Sequence, residues 1–414
     1  MKKIYFVIIC VLSFIVQPLI AQNNTSSPYT RYGYGLVNDA GFGQVKALGG
    51  LSMGLRSNNF INPANPASYT SIDSLTFRME AGVSFQISNF TDGEKSQTAL
   101  DGNLEYLAMQ FPIKKWVALS LGLMPYSIVG YNYSMTETSP SSITAGSLKT
   151  NYTYAGEGGI TQLYLGLGFR PFSWFSLGAN LQYYFGSIEY SSSASFEEVY
   201  VPTIMQRTIS VTDLSGNFGV QFTIPLKKDM SLTLGGTYQL KSSVNADAEQ
   251  TVITTDTVVQ DFNNSFDFPM SFGTGFVFNY LNKFTIGFDY KKEFWSDVEF
   301  FGEKEFLDRN KFIVGFEYLP NPNGRAYFER VYYRFGANLS KSYYTVNGEQ
   351  LKSLVLSTGW GFPLKKGLNP TIMNFTFEYG LNGKVEGNLL REQYFKFILN
   401  ATINENWFMK RKLN

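Results

Sequence analysis

The sequence predicts an all-β fold: a transmembrane antiparallel β-barrel of about 14 strands, with an N-terminal hatch or plug in its lumen. Three observations predict it. Apolar residues alternate with small or polar ones, with a period of two, in segment after segment. The 414 residues include 37 Phe, 27 Tyr and 38 Gly, yet after Ala21 no run approaches the roughly 18 to 20 apolar residues of a spanning helix. Short Pro/Lys turns alternate with longer polar connections, the habit of outer-membrane barrels.

Alternation puts one set of side chains on one face of a strand. Val117, Leu119, Leu121 and Leu123 alternate with Ala118, Ser120 and Gly122. Leu163, Leu165, Leu167 and Phe169 do so next, then Leu177 to Phe185, Phe218 to Ile224, and Leu232 to Tyr238. Phe284 to Tyr290, Phe312 to Tyr318, Phe375 to Tyr379 and Phe395 to Ile403 continue it. A soluble sandwich also alternates, but these strands read as about 10 to 18 residues long, against a usual mode of about 5 or 6. Phe111-Pro112-Ile113-Lys114-Lys115, Ile224-Pro225-Leu226-Lys227-Lys228 and Phe362-Pro363-Leu364-Lys365-Lys366 are tight turns of one pattern. Between them, 134–151, 191–206 and 243–263 read as long outward loops. Strand centres fall near residues 82, 107, 124, 162, 181, 217, 236, 273, 290, 314, 335, 357, 377 and 399. The barrel must close, because lipid cannot solvate an open edge.

The N-terminus reads as a secretory signal over 1–21. Lys2 and Lys3 precede an apolar run, and Ala21 is the cleavage position. Cys10 lies mid-run, not at its end, so a lipoprotein is not implied. Cleavage removes the single Cys, and there is no His. Disulfides, zinc sites of the Cys/His kind, Cys–His pairs and Ser–His–Asp triads are thereby excluded. No metal or other cofactor is expected. The 34 basic and 33 acidic groups leave no basic patch for nucleic acid. Lys410-Arg411-Lys412 reads as a solvated periplasmic end.

Residues 22–74 lack the period and form the hatch; 75–414 form the barrel. The hatch carries Gly49, Gly50 and the doubled Asn62-Pro63-Ala64-Asn65-Pro66-Ala67, which are turn and close-approach residues. Its scattered Tyr, Leu and Phe argue against disorder.

Ala47-Leu48-Gly49-Gly50 followed by Asn65-Pro66-Ala67 resembles the hatch signature of the FadL-type outer-membrane transporters, in their Bacteroidetes form. Ser176 to Leu181 resembles that family's mid-barrel strand. Pro269 to Gly275, Thr285 to Tyr290 and Trp295 resemble its proline, glycine and aspartate–tryptophan pattern. The order of these matches over residues 28–300 carries the likeness. It implies fourteen strands, a lumenal hatch, and passive uptake of small hydrophobic molecules, fatty-acid-like or aromatic, with sideways release into the membrane. The expected partners are outer-membrane lipid and such a ligand, and the expected location is the outer membrane. The family also contains accessory barrels of secretion or protein-assembly complexes, so complex subunits are the alternative partners. No catalytic residue is expected.

Asn65, Pro66 and Ala67 read either as a turn supporting a gate or as an ordinary tight turn. The strand face opposite the apolar one carries Arg78, Glu80, Asp289, Glu317, Arg334, Glu378 and Lys396. These read as partners for a ligand's polar head or as a lumenal network holding the hatch; the second is favoured, since such barrels have charged lumens. Trp116, Trp174, Trp295, Trp360 and Trp407 fall near strand ends and read mainly as interfacial anchors.

Overall fold

Alternation becomes a closed wall. In a computed structural model of the chain, residues 25–140, 147–196, 202–262, 265–365, 370–385 and 389–406 are described. The segment read as a signal, Trp407 and the basic tail lie outside them. The wall runs β1 Thr76–Thr91, β2 Ser96–Lys114, β3 Val117–Pro140, β4 Ser147–Phe172, β5 Phe175–Phe196, β6 Thr203–Lys227 and β7 Met230–Gln239. It continues as β8 Ser271–Tyr280, β9 Phe284–Glu293, β10 Arg309–Tyr318, β11 Tyr332–Val346, β12 Glu349–Pro363, β13 Ile372–Asn382 and β14 Arg391–Asn406. Each of the fourteen expected centres falls in its own strand. Neighbours pair antiparallel, and β14 pairs with β1 from Arg391 opposite Thr91 to Asn406 opposite Thr76, which closes the barrel. No helix of the described residues is long and apolar enough to cross a membrane.

Apolar side chains stand outward. Phe85, Leu165, Leu181, Ile286, Val314, Phe335 and Phe395 are each about half exposed, as expected of a belt wetted by acyl chains. Trp116 and Trp174, at the short turns, are exposed too. The inner face is mostly small or polar, with buried Tyr106, Tyr164, Val277 and Ile313 among its larger residues, and the hatch packs against it.

The stretches read as long loops are largely strand. β3, β4, β5 and β6 have 24, 26, 22 and 25 residues, whereas about 9–11 suffice to cross. Their outer parts are rich in Thr, Tyr and Val, residues that favour strands in water as well as in lipid. A row of backbone breaks separates the two parts. It comprises the register shift at Pro125/Ser127 in β3, Gly158 and Gly159 in β4 (φ +101° and +156°), and Gly186 in β5 (φ +144°). A Cβ on Gly159 would lie 2.4 Å from the Ser127 carbonyl oxygen, and one on Gly186 2.3 Å from that of Gly159. Beyond the row, β6 leaves β7 and pairs instead with Ala246–Ile253, half of a hairpin with Thr257–Asp261.

Hatch and wall meet backbone to backbone. A Cβ at Gly336 would stand 2.0 Å from Gly49 N, at Gly235 1.9 Å from Met53 O, and at Gly178 2.4 Å from the Pro66 carbonyl carbon. These inward positions admit no side chain. Gly336→Ala should therefore lower stability by at least about 1–3 kcal/mol, the cost of overpacking. Gly236→Ala, whose Cβ finds only Val220 Cγ2 at 3.5 Å and Gly273 O at 3.8 Å, should be close to neutral. Urea unfolding in detergent, followed by loss of the compact gel-mobility form, measures both.

Candidate functional site: the hatch, its cradle and the wall seam

The hatch has little secondary structure among its described residues: 3-10 helices at Pro28–Arg31 and Pro66–Ser71, Leu36–Val37 as strand and a one-turn helix at Gly43–Ala47. A buried irregular backbone needs partners for its N–H and C=O groups. The wall supplies them from side chains. Asp289 Oδ2 accepts from Ser52 N and Met53 N at 2.6 and 2.9 Å, and Glu80 Oε1 accepts from Ile61 N at 2.8 Å. Gln221 donates to Met53 O at 2.9 Å, Asn338 to Gly49 O at 2.9 Å, Asn180 to Pro63 O at 2.9 Å and Gln110 to Tyr69 O at 2.7 Å. The buried Arg78 guanidinium donates to Phe60 O at 3.1 Å and to Asn58 O. Asn65 Oδ1 caps the 3-10 helix by accepting from Ala67 N at 3.1 Å, while its amide donates to Met53 O at 2.7 Å. Gly49 and Gly50 take positive φ and end the one-turn helix, with Gly50 N donating to Val45 O at 2.8 Å. Apolar groups complete the fit: Phe42 stacks on Tyr106 at 3.8 Å, and Leu48, Leu51, Leu55 and Phe60 pack with Val277 and Ile313.

Above this packed lower hatch lies a cavity of about 300 Å³. One side is charged. Asp39 meets Lys311 at 2.5 Å and Lys291 at 3.3 Å, and Glu293 meets Lys291 at 2.7 Å and Arg309 at 3.4 Å. Burial opposes ionisation of Asp39, but Lys311, Lys291 and Arg309 outweigh it and hold the carboxyl well below the ordinary range. The other side is aromatic: Tyr126, Tyr184, Phe268, Trp295 and Tyr343. Trp295 is not at the membrane interface. It is fully buried, stacks on Tyr343 at 4.1 Å, and donates its indole N–H to Glu293 at 2.9 Å.

The wall has a seam. The β2–β3 ladder runs from Lys114 opposite Val117 to Leu107 opposite Leu123 and stops there. Above it β2 pairs with β1 and β3 with β4. The hatch lines the β3 side of the seam. Leu36 and Val37 pair with Ile128 and Ser127, Asn38 N donates to Tyr126 O at 2.9 Å, and Gly130 N donates to Thr30 Oγ1 at 3.2 Å. Inside the seam, Glu105 accepts from Lys396 at 2.6 Å and from hatch Lys46. The space there is about 20 Å³, room for about one water molecule.

The residues singled out in the sequence occupy different parts of this lumen. Arg78, Glu80 and Asp289 touch the hatch backbone. Arg334 pairs with Glu317 at 2.6 Å and donates to Asn374 at 2.9 Å, apart from the cavity. Lys396 joins the seam cluster, and Glu378 stands opposite it in register and lines the cavity. Sequence reading missed Asp39, Lys46, Glu105, Lys291, Glu293, Arg309 and Lys311. Four of them carry a readable signal: Lys291 and Glu293 share the parity of Asp289, and Arg309 and Lys311 alternate with the outward Phe312. Among the described residues no cluster could hold a metal ion.

A family model described as BamG matches residues 1–414. No curated protein matches the chain. Among solved structures the chain is similar to the toluene transporter TodX of P. putida, with 14% identity and a TM-score of 0.60 over 90% of this chain and 100% of that one. It is similar to the Ralstonia pickettii toluene transporter TbuX, with 12% identity and a TM-score of 0.59 over 88% and 98%. It is also similar to a FadL homologue of Pseudomonas aeruginosa, with 14% identity and a TM-score of 0.53 over 88% and 98%. At these identities the likeness is one of fold, and the fold is the FadL type expected from the hatch and strand motifs.

Two outcomes test the cradle. Glu105→Gln takes the shared carboxylate from the partly buried Lys46 and Lys396 and should cost no more than the roughly 3–5 kcal/mol of breaking a fully buried pair, read as a lower unfolding midpoint and faster trypsin cleavage at Lys46. Asp39 has a depressed folded pKa, so its stabilisation is full above the ordinary carboxylate pKa and is lost only as pH falls through the lower folded value. The stability difference between the wild type and Asp39→Asn should therefore stay constant from about pH 8 to about pH 5 and shrink only below about pH 4.

Proposed function

The chain belongs to the BamG family, and on that premise we propose that it is a non-conducting accessory barrel of an outer-membrane protein assembly or secretion complex. One observation carries this reading. The seam, where the wall ladder lapses, is closed on its inner side by the Lys46–Glu105–Lys396 cluster and by hatch residues paired to β3. An apolar solute leaving sideways would have to displace a largely buried ion cluster. An axial path would have to break the wall's hydrogen bonds to the hatch backbone. In this reading the segment 1–21 is removed on export, the wall charges Arg78, Glu80 and Asp289 hold the hatch, and Gly49, Gly50, Asn65, Pro66 and Ala67 shape it to the wall. No catalytic step and no cofactor belong to it.

A second reading is passive uptake of small hydrophobic molecules, with release through the seam. The aromatic side of the 300 Å³ cavity favours it, as does a fold shared with proteins titled toluene transporters. That cavity would be the ligand site, and the hatch segment at Leu36–Val37 would have to leave β3.

Purification in mild detergent separates the two. An accessory barrel should bring other envelope proteins with it in fixed stoichiometry, and its depletion should disturb the insertion of other barrels. Uptake of an aromatic hydrocarbon should be unchanged. A barrel that purifies alone, and whose loss slows hydrocarbon uptake, would establish the second reading instead.

A further inference from the structure

At the short-turn end one connection breaks the pattern. Four others there have two or three residues, but β10 and β11 are joined by 319–331. This loop is held in shape. Leu319 N donates to Lys283 O at 2.8 Å, Asn321 N to Glu329 O at 2.7 Å and Arg330 N to Tyr327 O at 3.0 Å. At its root Leu319 packs with Tyr332 and Ile372, and Val331 is buried. Its far part presents Tyr327, 40% exposed, and Phe328, 69% exposed, more than any other phenylalanine among the described residues.

Exposure alone decides little; position decides the partner. Phe328 O accepts from the Tyr333 hydroxyl at 3.3 Å. Tyr333 has the parity of the outward Phe335 and ends a row of outward rings: Tyr280, Phe284, Tyr318 and Tyr333, with successive centroids 6.3, 4.9 and 6.3 Å apart. Trp360 stands opposite Tyr333 in register and extends the row. Such a row marks the depth at which acyl chains give way to lipid headgroups. The loop is therefore tied to the lipid-facing side of the rim. Cations accompany it. Lys283 and Arg325 are exposed and make no ion pair among the described residues, and the Arg330 guanidinium lies 5.3 Å over the Tyr327 ring.

We propose that loop 319–331 docks on the phospholipid leaflet at the short-turn end, with Phe328 sunk among the upper acyl chains and Arg325 on lipid phosphate. The contact continues an interface that the outward rings already make. An aromatic ring beside a guanidinium suits the layer where apolar chains meet phosphate. Both readings of function leave this loop unused, and the proposal depends on neither.

The test is a single fluorescent label. Cys10 is the one cysteine of the chain, so Phe328→Cys in a Cys10→Ser chain carries one label, and Tyr327→Cys gives a second position beside it. Phe335→Cys serves as the acyl-chain control and Asp256→Cys, exposed at an outer hairpin turn, as the water control. Labelled chains that keep the compact gel-mobility form are placed in nanodiscs of phosphatidylcholine and phosphatidylglycerol. Quenching is measured with lipids brominated in the upper acyl chain and, separately, with aqueous iodide. The label at Phe328 should be dimmed by brominated lipid as at Phe335, with an iodide quenching constant several-fold below that at Asp256. Arg325→Gln should raise the iodide constant at Phe328, and no change there would overturn the phosphate contact. A Phe328 label that iodide reaches as freely as at Asp256, and that brominated lipid leaves bright, would overturn the proposal. That is the outcome expected if a partner protein, absent from the nanodisc, is what the loop meets.

Discussion

An irregular chain inside a barrel has to find a hydrogen-bond partner for its backbone groups, and much of this lumen answers that demand. Secondary structure would satisfy those groups internally. The hatch has too little of it, so the wall's inner face carries Asp289, Glu80, Gln221, Asn338, Asn180 and Gln110, each aimed at a hatch N–H or C=O. Where the hatch comes closest, at Gly178, Gly235 and Gly336, no side chain fits at all. Glycine in a strand weakens it. Here each such glycine lets two backbones touch.

The same demand explains the two kinds of charge in the lumen. Asp289 and Glu80 have no carboxylate–cation pairing among the described residues and act as acceptors for backbone amides. The Asp39–Lys291–Glu293–Arg309–Lys311 group and the Lys46–Glu105–Lys396 group are ion clusters in which one hatch residue, Asp39 or Lys46, ties into wall residues. Removing one member of such a cluster strands the others in a poorly solvated site. The hatch is therefore fixed by its backbone below and by its charges above, and the aromatic-sided cavity is what remains between them and the outer strands.

Much of the wall was legible in the sequence because one physical rule, alternation between lipid and lumen, leaves a period of two. The rule gives the outward Leu163, Leu165 and Leu167, and the inward Arg78, Asp289 and Arg334. It fails where the ladder is irregular. Leu104 and Leu107 both point outward with Glu105 and Tyr106 both inward, because Glu105 is the extra residue of a bulge opposite Gly82/Val83. Parity counted from Leu107 puts Glu105 in lipid, so the seam cluster could not be read. Asp39 and Lys46 lie in a segment with no period, and their partners come from tertiary packing alone. Trp295 has the composition of an interfacial anchor, but the chain after β9 turns it inward onto Tyr343. The outer strands looked like loops because polar Thr and Ser mask pairing that lipid does not enforce.

The row of breaks across β3, β4 and β5 ties these features together. The register shift at Pro125/Ser127 and the positive φ of Gly158, Gly159 and Gly186 bend β3, β4 and β5, while β2 and β1 remain paired to each other. A ladder cannot follow both directions, so it opens between β2 and β3, and the opening begins within a few residues of the bend. Ser127 and Ile128, at the end of the row, are the residues that Val37 and Leu36 meet. The seam thus follows from the same bend that separates the inner and outer parts of the long strands, and a hatch strand at one lip is the fold's own response to an edge it could not close by curvature. On this account, straightening the row would lengthen the β2–β3 ladder and expel Leu36–Val37 together, because both compete for one edge of β3.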